Sequence, residues 1–475
     1  MTTTLPQSRY DIDGLKRRLG GIRVEDNPAL VKQKSRDFFW YSPRLKRQLD
    51  AVTGDIVVSP RSEAEVLATL AAAHELAIPV TPRGTGTGNY GQAMPLSGGI
   101  VLDLSGFDAV KSVGRGRVVA EPGAVMARID EVTRPGSQQE LRLHPSTYST
   151  ATIGGFVAGG SGGVGSIRWG GLRDFGNIIR LRVATMEAAP RILELEGEDL
   201  HKVAHAYGTN GVITEVEMPL GPAFSWVDVI VGFDTLEHAT AYANTLGEQD
   251  GLLLKNLSVI AAPIPHDYFP RHRKFIPRDK AIAIVTLADF AVGPMVAFTR
   301  RWKGAEVLMR TDLLSAEDAK GLPPGFELGW NHTTLRALRV DPSITYLQVL
   351  YPFPNQVKLV TDIHARFGDE VPAHLEFVRF DGKITCFGLP LVRFTTEERL
   401  DEIMRIHEDM GAPIFDPHRY TLEEGGMKQS DEVQLAFKRE ADPQGLLNPG
   451  KMIAWEDPAY DFRSGKTFLF KGLGS

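Results

Sequence analysis

Two glycine-dense stretches constrain what this 475-residue chain can fold into. Residues 82–91 contain four glycines, and residues 152–165 contain seven. Glycine at this density destabilises helices and strands, so it needs a local reason such as positive φ or close approach of the backbone to a bulky group. Because clustered main-chain amides favour anions, two such loops predict a large, phosphate-bearing ligand held mainly by the backbone.

Composition excludes several other classes of protein. The length allows two or three domains with full cores, and 43% hydrophobic with 24% charged residues is typical of a soluble globular protein. A net charge of −6 gives no electrostatic footprint for nucleic acid. The single cysteine, Cys386, excludes an internal disulfide framework and fits a reducing compartment. Residues 1–10 do not resemble a secretory signal and no apolar run reaches about 18 residues, so we expect a cytoplasmic protein without a membrane span.

The residues around the first glycine stretch predict a βαβ unit. We expect a strand at 55–58, a helix begun by a capping box of Ser62 and Glu65, and a strand at 78–81 that leads into the glycines. Further short strands are predicted at 100–104, 117–120, 178–184 and 211–218.

Beyond about residue 222 the glycine density falls and the pattern changes to an α+β module with an antiparallel sheet. Its Asp381-Gly382 pair lies between two alternating runs and predicts a hairpin. Strands are predicted at 226–233, 281–287 and 344–350, and helices at 235–248, 355–367 and 395–410, the last capped by Thr395 with Glu398. The tail returns to helix at 430–440 and a rigid irregular segment at 442–451.

Three interpretations of the glycine loops can be compared. Residues 86–91 match the G-x-G-x-x-G pattern, but a nicotinamide site needs a helix to begin in that loop, and residues 92–99 cannot form one. No Gly-Lys-Ser/Thr closes either loop, which excludes a P-loop. Purely structural turns leave the hydroxyls of Thr85, Thr87, Thr152 and Ser161 unexplained.

Several blocks resemble the FAD-binding domain of the vanillyl-alcohol oxidase/para-cresol methylhydroxylase (PCMH) flavoproteins. They are residues 82–87, 98–104, 121–123, 144–146, 151–155 and 208–215. Residues 442–451 are similar to the tail of the D-lactate and glycolate dehydrogenase branch. The resemblance implies an α+β fold, with a two-subdomain FAD-binding domain of the PCMH type and an inserted cap domain on an antiparallel sheet covered by helices. We expect residues 1–222 and 425–475 to form the FAD-binding domain and residues 223–424 the cap.

The same resemblance implies which residues contact FAD. Residues 83–89 would surround the pyrophosphate, the segments near 145 and 152 the isoalloxazine and ribityl region, and the pair at 212–213 the adenine. The implied set is Pro82, Arg83, Gly84, Thr85, Gly86, Thr87, Gly88, Asn89, Pro145, Ser146, Thr152, Ile153, Gly154, Gly155, Gly162, Gly163, Val212, Ile213 and Asn448. Non-covalent FAD is favoured because the first loop has no histidine and Cys386 lies on a predicted cap strand; His418 is the residue most able to overturn this.

Flavin chemistry of this kind moves a hydride from a substrate carbon to flavin N5 while a base removes the hydroxyl proton. Period-two alternation divides the predicted hairpin into an apolar face and a mixed polar face, the latter either solvent surface or active-site wall. The polar face carries His374, Glu376, Val378, Lys383, Thr385, Phe387, Leu389 and Arg393. The apolar face carries Leu375, Phe377, Ile384 and Cys386, with Arg379 at its edge. His374 is a candidate base or a structural histidine, and Arg393 or Arg379 could bind a carboxylate or form a surface ion pair. Tyr346 and Gln348 are further candidates for the cavity wall.

Residues 416–428 crowd ionisable groups before a double glycine, and His418, Arg419 and Glu424 are candidates for catalysis or substrate binding. Glu423-Glu424-Gly425 stands where the lactate/glycolate branch usually has Glu-His-Gly, and the branch's histidine-rich metal motif is missing. We therefore predict no metal, with a nitrogen and oxygen site formed by His374, Glu376, His418 and Glu424 as the alternative. The predicted catalytic set is His374, Glu376, Arg393, His418, Arg419 and Glu424.

These observations predict an FAD-dependent dehydrogenase or oxidase acting on a small 2-hydroxy acid, with an unidentified electron acceptor. A phenolic or aromatic alcohol is the alternative substrate. A non-redox transferase of the alkylglycerone-phosphate synthase type is the alternative of another class, although a single His418 does not supply the histidine-rich loop of that subgroup. A flavin-binding protein without catalysis is a further possibility.

Overall fold

The computed structural model describes residues 9–160, 162–425 and 432–461. Its helices are α1 Ile12–Leu19, α2 Pro28–Lys34, α3 Pro43–Leu49, α4 Glu63–Glu75, α5 Met126–Ser137, α6 Ile153–Gly159, α7 Ser166–Trp169, α8 Leu236–Gly247, α9 Ile264–Tyr268, α10 Val292–Thr299, α11 Ala316–Ala319, α12 Gly325–Gly329, α13 His332–Val340, α14 Gln356–Phe367, α15 Glu397–Asp409, α16 Glu432–Ala441 and α17 Ile453–Glu456.

The first, N-terminal sheet contains the predicted βαβ unit and has the order β1-β2-β4-β3. Its strands are β1 Arg23–Glu25, β2 Ile56–Ser59, β3 Val80–Arg83 and β4 Ile100–Asp103. Strands β2 and β3 both run parallel to β4, and α4 forms the crossover between β2 and β3. The Ser62 hydroxyl accepts a hydrogen bond from the amide of Glu65 at 3.2 Å, as the capping box predicts. Strand β3 delivers the chain directly into the first glycine loop.

The second sheet is antiparallel and is organised around one long strand. Its strands are β5 Val110–Gly114, β6 Arg117–Ala120, β7 Gln139–Leu141, β8 Arg180–Ala184, β9 Ile192–Glu196 and β10 Val212–Pro222. The order is β5-β6-β10-β8-β9, and β7 pairs with the end of β10. Helix α6, which lies in the second glycine stretch, packs on this sheet through the buried Ile153, Phe156 and Val157.

The third sheet is an antiparallel layer that carries the predicted hairpin. The remaining strands are β11 Trp226–Phe233, β12 Leu254–Ile260, β13 Ala281–Ala288, β14 Glu306–Arg310, β15 Ile344–Tyr346, β16 Val349–Tyr351, β17 His374–Phe380, β18 Lys383–Gly388 and β19 Leu391–Arg393. Seven of them form the order β14-β11-β13-β12-β17-β18-β16, and β15 pairs with β19. Asp381 and Gly382 both have positive φ at the hairpin tip, as a two-residue turn of this kind requires.

Two local predictions need correction. The strand predicted at 344–350 is two short strands, because the chain changes partner from β19 to β18 after Tyr346. The capping residue of helix α15 is one position later than predicted, because the hydroxyl of Thr396, and not that of Thr395, accepts a hydrogen bond from a helix amide, that of Arg399 at 3.2 Å.

The C-terminal segment returns to the first two sheets. The Val80 amide donates to Leu446 O at 2.8 Å, and the Asn448 amide donates to Val80 O at 2.8 Å, so this segment pairs in parallel with β3 at the edge of the first sheet. Phe437 of α16 joins the core of the second sheet. The division at residues 222/223 and 424/425 stays a prediction. In the described ranges 9–160, 162–425 and 432–461, no helix is long and apolar enough to cross a bilayer.

Candidate active site

A deep cleft lies between the two glycine loops on one side and the hairpin of β17 and β18 on the other. Fifteen of the nineteen residues predicted to contact FAD line it. They are Pro82, Arg83, Gly84, Thr85, Gly86, Thr87, Gly88, Asn89, Pro145, Ser146, Thr152, Gly154, Gly155, Gly162 and Ile213. Two stretches far apart in the sequence therefore form one surface.

The first loop is glycine-rich because it packs tightly against its surroundings. Residues 84–99, all of which the structure describes, contain no helix, as expected for a site unlike that of nicotinamide enzymes. A Cβ on Gly84 would lie 2.1 Å from Thr152 Oγ1, so the two loops touch there. Gly86 has a φ of +73°, which disfavours any side chain. The Thr85 hydroxyl donates to Thr150 O at 2.8 Å and joins the loops a second time.

Arg83 holds the first loop from behind. Its buried guanidinium donates to Thr85 O at 2.8 Å and Arg36 O at 3.1 Å, and also to Lys34 O. These bonds fix the loop against the N-terminal segment. The side chain therefore stabilises the loop, and the ligand-facing contribution of this stretch comes from its backbone.

The second loop leaves free space beside its backbone. A Cβ on Gly159 would meet no protein atom within 4 Å, and the nearest atom to one on Gly162 would be Ser166 Oγ at 3.6 Å. Both glycines line the cleft. Unlike Gly84, they are not required by protein packing, and side chains there would occupy the cleft. This is a cradle that suits a bulky group lying directly against the main chain.

Four predicted FAD contacts do not line the cleft. Ile153 and Val212 are fully buried in hydrophobic cores, and a Cβ on Gly163 would lie 2.9 Å from the Phe156 ring. Asn448 donates from Nδ2 to Gln92 O at 2.8 Å and Tyr207 O at 2.7 Å, which ties the C-terminal segment beneath the first loop. Direct contact of these four with FAD stays a prediction, and their visible contribution is to support the cleft.

The hairpin presents two different faces. Leu375, Phe377, Ile384 and Cys386 belong to a large hydrophobic core. On the opposite face Glu376, Val378, Phe387 and Leu389 line the cleft. The alternation therefore assigned the faces correctly, although His374, Lys383, Thr385 and Arg393 of the predicted polar face do not line the cleft.

Glu376 is a carboxyl group in the cleft wall, with 4% of the residue exposed. Its Oε1 accepts a hydrogen bond from the backbone amide of Asn331 at 2.8 Å. Burial raises the pKa of Glu376 to about 8. Asn331 itself has a φ of +48°, and its Oδ1 has no hydrogen-bond partner among the described residues. Sequence reasoning missed Asn331, since nothing local marks it.

A small cluster of buried polar side chains lies beside Glu376 on the neighbouring strand. Ser258 is its direct partner across β12 and β17, and Asn256 lies two residues away on the same strand. Both side chains are buried and have polar atoms without a hydrogen-bond partner among the described residues. A Cβ on Gly329 would lie 2.0 Å from Ser258 Oγ, so only glycine fits over them. Buried polar groups need partners, so this cluster suits an ordered water next to the carboxyl.

Two predicted histidines lie outside the cleft wall. His374 is fully buried, with Nε2 3.0 Å from Gly329 O. His418 is also fully buried, with Nδ1 2.7 Å from Ser42 Oγ and Nε2 3.0 Å from Tyr346 O. Burial lowers the pKa of each to about 4. Both therefore act in this structure as neutral, hydrogen-bonded core residues.

Three further predicted residues lie on the surface. Arg393 is exposed on β19, and its Nε donates to Asp369 O at 2.9 Å. Arg419 lies 3.4 Å from the Asp416 carboxylate and 3.9 Å from that of Glu424. None of Arg393, Arg419 and Glu424 lines the cleft, because the strand and the loop that carry them turn their side chains outward. The structure does not bring them together with Glu376.

The cleft includes residues that the predicted site set lacked. Arg379 lines it, as the alternative to Arg393 for binding a carboxylate. Gln348 also lines it and accepts a hydrogen bond from the Tyr90 hydroxyl, whereas Tyr346 lies behind it and accepts from Asn89 Nδ2 at 2.7 Å. Asp37 lines the cleft beside the first loop, and burial raises its pKa to about 6. No sequence pattern marks Asp37, because its contacts with Ala93 and Phe39 exist only in the folded chain.

Comparisons with known proteins agree with this geometry. The family model described as FAD binding domain matches residues 54–189, which include both glycine loops. The glycolate oxidase subunit GlcD of Escherichia coli (strain K12) is 27% identical over 84% of this chain and 83% of its own length. The D-lactate dehydrogenase of Archaeoglobus fulgidus is 32% identical over 46% of each chain.

Solved structures match over almost the whole chain. An alkyldihydroxyacetonephosphate synthase has a TM-score of 0.72 at 16% identity, covering 94% of this chain and 86% of its own. The 4-ethylphenol oxidase from Gulosibacter chungangensis has a TM-score of 0.65 at 17% identity, covering 93% and 96%. At these identities the likeness concerns the fold alone.

The chain is a flavoprotein with an FAD-binding domain of the PCMH type, and FAD is its cofactor. The predicted α+β fold is confirmed. More particularly, its curated relatives identify it as an FAD-linked oxidoreductase. The open glycine cradle fits this cofactor, and the residues available to hold it are the backbone of residues 83–89 and of the second loop.

The cradle gives a direct prediction for Gly159. We expect Gly159→Leu to lower the affinity for FAD at least about tenfold, because its side chain enters the cleft while leucine suits the end of a helix better than glycine. FAD content per protein and fluorescence titration of the FAD-depleted protein measure this. Gly293→Leu is the matched control. Like Gly159, Gly293 lies in a helix and has no atom within 4 Å of an added Cβ, but it is exposed. Equal FAD affinity in both variants would contradict the interpretation that FAD lies against the backbone of Gly159.

Proposed function

We propose that the protein oxidises a 2-hydroxy acid at its CH–OH carbon, with FAD as the hydride acceptor. The carrying observation is the cleft wall opposite the glycine loops, to which strand β17 contributes a buried carboxyl, Glu376, and, three positions further on, Arg379. Relatives named as a glycolate oxidase subunit and as D-lactate dehydrogenases support this substrate class. In the reaction the substrate loses a hydride from carbon and a proton from oxygen, and a 2-oxo acid results.

Glu376 is the proposed base. FAD, when bound, supplies the two-electron acceptor for the substrate carbon. The Asn331 amide holds Oε1 of Glu376, which leaves Oε2 to accept the hydroxyl proton. A pKa raised by burial to about 8 lies near ordinary working pH, where a general base is most effective. His374 is a weaker candidate for this role because Gly329 O already occupies its Nε2.

Arg379 is the proposed carboxylate-binding residue. Its side chain is 32% exposed, and its protein contacts are weak: Gly382 O at 3.2 Å and the Asp250 carboxylate, on a 94% exposed side chain, at 3.9 Å. The planar guanidinium is therefore available to a substrate carboxylate in a bidentate arrangement. Arg393 is bound to Asp369 O outside the cleft, so we assign it no part in substrate binding.

We also propose that FAD is bound non-covalently. Cys386 is buried in the core on the far face of β18, where burial raises the pKa of its thiol, and His418 is buried behind Tyr346. Neither residue lines the cleft. Acid precipitation of the yellow protein should release all of the FAD into the supernatant. Yellow colour retained in the denatured pellet would contradict this, and His205, which lines the cleft, would then be the first residue to substitute.

Anaerobic mixing with a substrate panel tests the proposed function. We expect 2-hydroxy acids to bleach the flavin band near roughly 450 nm, and phenolic or benzylic alcohols without a carboxylate to leave it unchanged. Bleaching by the alcohols alone would favour the aromatic-alcohol alternative. A flavin that no member of the panel reduces would contradict oxidation of either class and favour the transferase or the non-catalytic alternative.

A further inference from the structure

The wall around Glu376 is apolar to an extent that a small hydroxy acid does not require. Six hydrophobic side chains line this part of the cleft: Trp330, Val378, Phe380, Phe387, Leu389 and Phe415. Glu376 and Arg379 are the charged groups of this wall in the described part of the chain. We infer that the substrate carries an aromatic ring beside its oxidised carbon, so that it is an aryl-substituted 2-hydroxy acid. This inference rests on the proposed function.

The apolar surface is next to the proposed base. Phe387 is the direct partner of Glu376 across β17 and β18, and Val378 follows Glu376 on the same face of β17. Trp330 immediately precedes Asn331, whose amide holds the carboxyl. A Cβ on Gly162 would lie 3.8 Å from the Trp330 ring, so this ring reaches the second glycine loop. A group attached to the reacting carbon therefore meets hydrocarbon on several sides.

The rings are arranged to accept another ring. Phe387 lies 6.1 Å from Phe380 with their planes at 84°, and 5.8 Å from Phe415 with their planes at 46°. Such tilted and edge-to-face contacts are the favourable geometry of aromatic clusters, and an inserted phenyl ring extends the cluster. Glycolate has no substituent for this surface and lactate has one methyl group, so both would leave the rings in contact with water.

The charges restrict the substituent further. With Glu376 assigned to the hydroxyl and Arg379 to the carboxylate, no charged side chain of this wall, among the described residues, is left for a second ionic group. A phosphate or a second carboxylate on the substrate would therefore be buried without a partner, which is costly. A neutral apolar group fits.

Anaerobic stopped-flow reduction of the FAD-loaded protein tests this inference. We expect 3-phenyllactate or mandelate to reduce the flavin with a second-order rate constant at least about 100-fold above those of lactate and glycolate, since each methylene in an apolar pocket contributes roughly 10- to 200-fold. Lactate or glycolate equal to the aryl acids would overturn the inference and leave the proposed function intact. A flavin that no hydroxy acid reduces would instead refute the proposed function itself.

A variant separates the substrate pocket from mere packing on the cofactor. Val378→Phe should lower the rate constant for 3-phenyllactate at least tenfold and change that for lactate less than twofold, because the added ring takes the place of the substrate's ring. Val340→Phe, at a 62% exposed position, is the control and should change neither. Equal losses for both acids in Val378→Phe would contradict the inference. If that variant lacks FAD, Phe380→Leu provides the same comparison, with loss expected for the aryl acid alone.

Discussion

Replacing Glu376 by glutamine should lower the rate of flavin reduction by substrate about 10²- to 10⁴-fold while the protein stays yellow. Glutamine keeps an oxygen that can accept from the Asn331 amide, at 2.8 Å in the wild type, but it cannot take up a proton. Anaerobic stopped-flow measurement at saturating substrate gives the rate, and the absorbance ratio gives the FAD content. Glu424→Gln is the matched control, because Glu424 was a candidate from sequence and its side chain is 44% exposed outside the cleft. A large loss in Glu424→Gln and none in Glu376→Gln would reverse the assignment.

The pH dependence of the wild-type protein and of Glu376→Gln provides a second measurement. Burial raises the pKa of Glu376 to about 8, so the basic form accumulates as pH rises and kcat/KM should increase up to about pH 8 and then level off. The stabilisation that this raised pKa reflects is present at low pH and is lost as pH rises through about 8, where a buried charge forms. Glu376→Gln should therefore lack the rise in residual activity, and at pH 9 its Tm should exceed that of the wild type. A wild-type profile flat from pH 6 to 9 would contradict the base assignment.

The parts of the fold that the sequence predicted are those set by local chemistry. Glycine spacing and the absence of a helix-forming segment after residue 91 follow from the backbone conformational preferences of single residues. Both glycine stretches accordingly lie where the sequence predicts them. The Asp381-Gly382 pair fixed the hairpin, and alternation then put Glu376 on the cleft face and Phe377 in the core. In this chain, loop type and strand face follow from neighbouring residues.

The remaining features of the site depend on contacts between distant residues. His374 and Glu376 share a face of β17, yet Gly329 of α12 covers the first and leaves the second at the cleft. Alternation predicts a face but not how far along the strand a cavity extends. Tyr90 and Gln348 meet across 258 residues, and His418 is taken into the core by Ser42 across 376 residues. The ionisable residues crowded around His418 predicted a site. Packing against the N-terminal segment instead buries His418 in the core and leaves Arg419 and Glu424 at the surface.

Replacing Arg379 by methionine should weaken binding of a 2-hydroxy acid about 10- to 100-fold, because charge-assisted hydrogen bonds contribute roughly 1.5–3 kcal/mol. Methionine preserves much of the apolar stem, and Arg379 is 32% exposed with weak protein contacts, so folding should be unaffected. Spectral titration of the bound flavin gives the dissociation constants of the acid and of the corresponding neutral amide. The acid should lose affinity and the amide should not, whereas Arg379→Lys should give an intermediate value, since it keeps the charge without the bidentate geometry.

The control for this substitution is Arg393→Met, which removes the arginine that sequence alone made an equal candidate. Arg393 is exposed and its Nε donates to Asp369 O, so its loss should leave both dissociation constants unchanged. Equal weakening of acid and amide in Arg379→Met would mean that the side chain shapes the cleft without binding the carboxylate. Weakening of the acid in Arg393→Met instead would require the β15–β19 pair to move toward the cleft when substrate binds. The two arginines thus test whether the wall that carries Glu376 also holds the carboxylate of the substrate.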